Sequence, residues 1–114
     1  MILVYPIPEV GWHVPKYLTK YRAFVSKDPF LPALGSTSHA RFKLRNQRSY
    51  AALDRIGEHP NLFRVYPEQR FCNSVVEGRC IVHWEGVPLY RDDDHLSSLG
   101  AQWVLQDIMQ HYSE

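Results

Sequence analysis

Apolar positions come in two rhythms along this chain. It opens with Met1-Ile2-Leu3-Val4-Tyr5, an unbroken apolar run of the kind a parallel strand shows when both its faces are covered. Such a strand at the first residue implies neighbours outside this chain. Pro6 and Pro8 stop it, and Glu9 to Trp12 then form a loop at its carboxyl end, where open α/β sheets place ligands. Pro15 suits a first helical turn, and Tyr17, Leu18, Tyr21, Phe24 and Val25 recur at three and four residues, the stripe of a packing helix. Residues 27–38, with Pro29, Pro32, Gly35 and Ser36-Thr37-Ser38, read as loop. A helix is expected next from about Ala40 to Ile56, capped by Ser38. It would turn Phe42, Leu53 and Ile56 inward and end at Gly57 and Pro60.

The run Leu62-Phe63-Arg64-Val65-Tyr66, closed by Pro67, reads as a second strand. A strand-helix-helix-strand order fits a right-handed crossover, so the sheet is expected to be mostly parallel. Ile81-Val82-His83-Trp84 and Val87-Pro88-Leu89-Tyr90 flank Glu85-Gly86 as a small hairpin. His83 alternates with apolar neighbours there and reads as a satisfied surface residue. The last helix carries Ala101, Val104, Leu105, Ile108 and Tyr112 on one inward stripe, with Trp103 on the opposite, polar side. An exposed Trp103 near the preceding turn would serve as a substrate or partner contact, or touch a part of the domain that lies outside this chain. The fold class is α/β, with a mostly parallel sheet and a C-terminal β-hairpin.

Composition narrows the field. At 114 residues the chain allows one domain, and 45% hydrophobic with 22% charged residues is ordinary for a globular protein. A net charge of +1 gives no field that would gather nucleic acid or anionic lipid. No apolar run approaches the roughly 20 residues that cross a bilayer, and Met1 to Val4 is too short for a signal-peptide core. Cys72 and Cys80 close a loop containing Gly78, a spacing that suits a local bridge or a pair of free thiols equally. It excludes a CxxC redox or zinc motif.

The densest chemistry is Arg91-Asp92-Asp93-Asp94-His95-Leu96-Ser97, which the hairpin delivers to the start of the last helix. A carboxylate three residues before a histidine can curl back onto the imidazole Nδ1–H, which fixes the tautomer and leaves Nε2 free to take a proton. Asp92 has that spacing to His95; Asp93 and Asp94 are expected to lie too close along the backbone to face the ring. Ser97 is placed to cap the helix. A solvated acidic turn near a helix N-terminus gives the same pattern without any catalytic role. A metal site is the third reading, disfavoured because three adjacent Asp cannot all point at one ion and no HxH or HExxH partner exists. Elsewhere, Glu9, Trp12 and His13 could line a substrate groove, with loop packing as the bland alternative. Ser38 beside His39 is a nucleophile decoy, since it lacks an elbow glycine and does not follow a strand. Arg41, Arg45 and Arg48 form a row that could meet an anionic glycan or a membrane surface, although a solvated helix face is the commoner meaning.

The run from Gly86 to Ala101, centred on Asp92-Asp93-Asp94-His95-Leu96-Ser97, resembles the last block of SGNH-type serine esterases and acyltransferases, roughly Asp-x-x-His-Leu-Ser. Pro6 to Pro15 after the first strand and the Cys72 to Cys80 pair extend the likeness over nearly the whole chain. It is closest to the SGNH domains fused to bacterial membrane acyltransferases of family 3, which O-acetylate surface polysaccharides. The resemblance implies a partial three-layer α/β/α, flavodoxin-like sandwich, with Asp92 and His95 as acid and base of a Ser-His-Asp triad and no metal or cofactor. Glu9, Trp12 and Trp103 become candidate substrate contacts. It also implies a periplasmic location and, with it, a Cys72–Cys80 disulfide. The family's Gly-Asp-Ser nucleophile block, and the Gly and Asn blocks of its oxyanion hole, precede the matched region. Residues 1–114 are therefore expected to be the C-terminal half of one SGNH domain, inactive alone. Its partners would be the N-terminal part, a membrane acyltransferase domain and a polysaccharide acceptor. A non-catalytic carbohydrate-binding or interaction module using Trp12, Trp84 and Trp103, and a metal-dependent hydrolase built on Asp92, Asp94 and His95, are the alternatives.

Overall fold

Two short strands that meet side by side, one at the start of the chain and one just past its middle, organise the computed structural model, which describes residues 1–24 and 32–112. Strand β1 (Ile2–Val4) runs parallel to β3 (Phe63–Val65), with Ile2 opposite Phe63 and Val4 opposite Val65. Between them lie α1 (Val14–Phe24), β2 (Thr37–Ser38), α2 (His39–Arg45) and α3 (Gln47–Asp54). The chain continues through α4 (Pro67–Phe71), β4 (Arg79–Cys80), the hairpin β5 (His83–Trp84) and β6 (Val87–Pro88), and α5 (Ser98–Tyr112). β2 pairs antiparallel with β4. Over the described residues the molecule is thus mixed α/β with one parallel pair and the expected hairpin, and no helix among them is long and apolar enough to cross a membrane. Val25, residues 27–31 and the side chains of Tyr21, Phe24 and Tyr112, to which the expected loop and stripes extend, lie outside what is described.

Several expectations are corrected. The single helix expected over 40–56 is two, because Asn46 leaves the helical region (φ −107°, ψ 10°) and its side chain donates to the Phe42 carbonyl at 2.9 Å. An Asn amide competes with the backbone in this way wherever it reaches a carbonyl. Phe42 is buried and Leu53 half-buried as expected, but Ile56 is exposed. Thr37 and Ser38, expected in a loop, form β2, and Pro67 does more than end β3: it opens the short helix α4, since proline's fixed φ suits a first helical position. β1 is covered less than its apolar run suggests. Ile2 and Leu3 are half-buried and Val4 exposed, and among the described residues β3 is the one strand paired with it.

The core gathers Val14 and Leu18 of α1, Phe42 of α2, Phe71 of α4, Ile81 and Val82 before the hairpin, and Leu89 and Tyr90 after it. The hairpin turn places Glu85 and Gly86 at positive φ (50° and 84°), the handedness that two-residue hairpin turns require. His83 is fully buried instead of surface-exposed. Its Nδ1 accepts the Gly86 N–H at 3.0 Å, so the imidazole replaces solvent for a turn amide. α5 is rotated from its expected setting: Val104 is buried and Trp103 and Ile108 half-buried, whereas Ala101 and Leu105 face water. The cause is the aromatic cluster beneath it. Trp103 lies nearly parallel to Phe71 (centroids 5.7 Å, 12°), meets Trp84 edge-on at 5.8 Å and carries the Arg70 guanidinium over its ring at 5.5 Å.

Candidate active site: the Asp92–His95 turn and its flanking cleft

The turn after β6 is built by one carboxylate. Asp92 Oδ1 accepts the backbone N–H groups of Asp94 (3.0 Å) and His95 (2.7 Å), and Oδ2 lies 2.9 Å from His95 Nδ1. Asx-type capture of the amides two and three residues on is a local habit of Asp, which is why three-residue spacing sufficed to foresee this contact. Asp94 also reaches the ring, its Oδ1 2.8 Å from the same Nδ1. That corrects the expectation that it sits too close along the backbone. Two carboxylate oxygens around one ring nitrogen leave no room for a lone pair there, so Nδ1 carries the proton and Nε2 is the free base.

Electrostatics divide the two acids. The backbone N–H of Asp94, then that of His95, hold the Asp92 carboxyl far below the ordinary carboxylate range. Asp94 is shifted upward, first by loss of water in the crowded turn and then by the Asp93 charge. Asp92 is therefore the fixed anion of the turn.

Neighbouring elements hold the turn in place. The Asp93 carbonyl accepts the N–H groups of Val10 (3.0 Å) and Gly11 (3.4 Å), and the Asp92 carbonyl that of Val14 (3.2 Å). The loop after β1 is thus bonded to the acidic turn along its back. Tyr90, buried, donates to the Pro8 carbonyl at 2.6 Å, which secures the same loop. On the other flank Ser97 Oγ accepts the Gly100 N–H at 3.2 Å, the expected cap, and donates to the Pro88 carbonyl at 2.6 Å.

That loop also lines a cleft of about 570 Å³, with Glu9, Trp12, Ser38, Arg41, Arg45 and Arg79 on its walls. Of the expected substrate contacts, Glu9 and Trp12 are there and exposed, whereas Trp103 is engaged with Phe71, Trp84 and Arg70. Its exposure was misjudged because helical periodicity cannot see an aromatic cluster assembled from distant segments. Ser38 Oγ accepts the Arg41 N–H at 3.2 Å as the cap of α2, and neighbouring His39 turns to Glu68 at 2.8 Å, so the pair is no nucleophile and base. Arg79 and its support, Ser36, were not foreseen; the only signal was Arg79's place beside Cys80, whose disulfide with Cys72 is formed. Among the described residues Asp92, Asp94 and His95 are also the one acidic and imidazole group whose donor atoms could converge on an ion, all lying within 4.8 Å of one another.

The α/β chain thus presents, on a turn before its last helix, a histidine held through Nδ1 by a fixed carboxylate, with Nε2 left open. The chain belongs to the family of SGNH domains fused to AT3 domains, which it matches over residues 1–110. No curated protein and no solved structure matches it.

Proposed function

We propose that this chain supplies the acid and base of a serine acyl-transfer centre acting on O-acyl groups of cell-surface polysaccharide. On this reading residues 1–114 are the C-terminal half of an SGNH domain, inactive alone. The nucleophile and oxyanion donors come from an N-terminal segment, and the centre works beside a membrane acyltransferase domain on the periplasmic side. The observation that carries it is the Asp92–His95 contact of 2.9 Å, with the other Asp92 oxygen occupied by two backbone amides. In the complete domain His95 Nε2 takes the serine proton as Oγ bonds to the acyl carbonyl carbon, and Asp92 stabilises the imidazolium. The imidazolium returns its proton to the departing alcohol oxygen, leaving an acyl-serine. A sugar hydroxyl or water, deprotonated by the same Nε2, then bonds to the acyl carbon as the acyl–Oγ bond breaks, and the imidazolium returns that proton to the departing serine Oγ.

Replacing His95 by Ala in the complete protein is expected to lower acyl turnover by at least about 10³-fold. Full turnover in His95→Ala would remove the assignment. Acetyl-ester hydrolysis by the isolated chain that survives alanine at every serine would do the same for the half-domain reading. The convergence of Asp92, Asp94 and His95 within 4.8 Å supports a second reading, a metal-dependent hydrolase, in which a chelator abolishes turnover and an added divalent ion restores it.

A further inference from the structure

The cleft beside the acidic turn carries a charge imbalance that the acid and base roles do not use. Three guanidinium groups, Arg41, Arg45 and Arg79, border it against the single carboxylate of Glu9. None of the three pairs with Glu9 or with any other acidic side chain among the described residues. Unpaired arginines are ordinary on a convex helix face, where water serves them. Here two come from α2 and one from β4, converging on one concavity from separate elements.

Arg79 is also held ready. Its Nε donates to Ser36 Oγ at 3.0 Å and one terminal nitrogen donates to the Ser36 carbonyl at 2.6 Å. Ser36 is itself 8% exposed. The strand that bears Arg79 is pinned to β2 in register (Ser38 opposite Arg79) and by the Cys72–Cys80 disulfide one residue on. A guanidinium fixed along one edge keeps its other N–H donors available and loses little conformational freedom when an anion arrives. Arginine forks suit carboxylate and phosphate oxygens in pairs. Trp12, 38% exposed on the same wall, offers a flat apolar surface against which a sugar ring can lie. The volume falls in the roughly 300–1,000 Å³ range of small-ligand clefts.

From this we infer that the cleft between the loop after β1 and α2 is a subsite for an anionic sugar, in which Arg41, Arg45 and Arg79 bind the acid group and Trp12 packs on the ring. The inference rests on the functional reading above for its relevance to acyl transfer, since the loop that carries Glu9 and Trp12 is bonded through Val10 and Gly11 to Asp93. It gives that reading a substrate class: polysaccharide with acidic residues. Its physical basis is independent of His95.

The test is NMR titration of the full chain with a galacturonic acid trisaccharide and, in parallel, a neutral galactose trisaccharide. The uronate is expected to move the Trp12 indole N–H and Arg79 Nε–H signals and to bind at least about tenfold more tightly than the neutral sugar. Arg79→Gln and Arg41→Gln are each expected to weaken it about tenfold, and added salt to weaken it further. Arg41 is exposed, so Arg41→Gln keeps the test decisive if Arg79→Gln unfolds. Glucose 6-phosphate binding more tightly than the uronate supports the subsite and assigns its acid group to phosphate; weaker binding assigns it to carboxylate. Equal binding of the neutral trisaccharide, no response at Trp12 and Arg79, or unchanged affinity in folded Arg41→Gln overturns the inference, as does inorganic phosphate matching the sugar acids. Binding retained in His95→Ala separates the two proposals: the subsite then stands whatever becomes of the acid and base roles.

Discussion

Asp92 and Asp94 face the same ring nitrogen but are held in opposite ways. Asp92 is depressed by the amides it captures and Asp94 raised by lost hydration and the adjacent Asp93 charge. A carboxyl whose folded value lies below its unfolded one, about 3.9 for Asp, favours folding in its ionised form. Its contribution is present above that value and is lost as the pH falls below it. Asp94 has the reverse sign: ionising it works against the fold, and that penalty is relieved as the pH falls and the carboxyl takes up its proton. Carboxyl-carbon NMR titration is expected to resolve two midpoints, Asp92 below and Asp94 above the ordinary range. Coincident midpoints would contradict the turn geometry. The Asp92 contact could be read from spacing because an Asx turn is made within three residues. The fate of His83 could not, since its exposure depends on which side of the hairpin the core covers.

Among the elements, α5 packs directly on the backbone at the end of the hairpin. Gly100 is buried against the chain just after β6, and a methyl there would collide with the Leu89 carbonyl oxygen, which already accepts the Ser97 N–H at 2.9 Å. Backbone cannot yield as a flexible side-chain tip does. Gly100→Ala, mildly favourable in an open helix, is therefore expected to cost about 1–3 kcal/mol or more through overpacking. Urea unfolding checks it, and an unchanged midpoint would mean that α5 lies farther from the hairpin. The same contact fixes the setting of the His95 turn between two packed elements. Strand and hairpin runs were legible because each is a local pattern with clear stops at Pro6, Pro67 and Glu85-Gly86. The break at Asn46 was missed because helical periodicity carries across one residue that leaves the helix, and the facing of α5 was missed because Phe71 and Trp84 decide it.

At the scale of the molecule, the Cys72–Cys80 bridge joins the end of α4 to β4, beside Arg79 and within the buried core. Cross-linking residues eight apart removes about 2–3 kcal/mol of freedom from the unfolded chain. The double variant Cys72→Ser, Cys80→Ser is expected to unfold at lower urea by that amount, and to lose more of the uronate response at Arg79 than of the Asp92–His95 contact. Equal stability with and without the bridge would show that the core alone sets β4.

What the amino-acid sequence determined by itself is whatever closes over a few residues: the Asp92–His95 turn, the caps at Ser38 and Ser97, the hairpin, and the strands that became β1 and β3. Each is settled by local sterics and hydrogen bonds and needs no distant partner. Tertiary structure alone decided the burial of His83, the engagement of Trp103 and the gathering of Arg41, Arg45 and Arg79 around one cleft. Those depend on which surfaces the core draws together across tens of residues: apolar periodicity marks that an element has a buried face, and because burial is non-directional it does not say which distant residues cover that face.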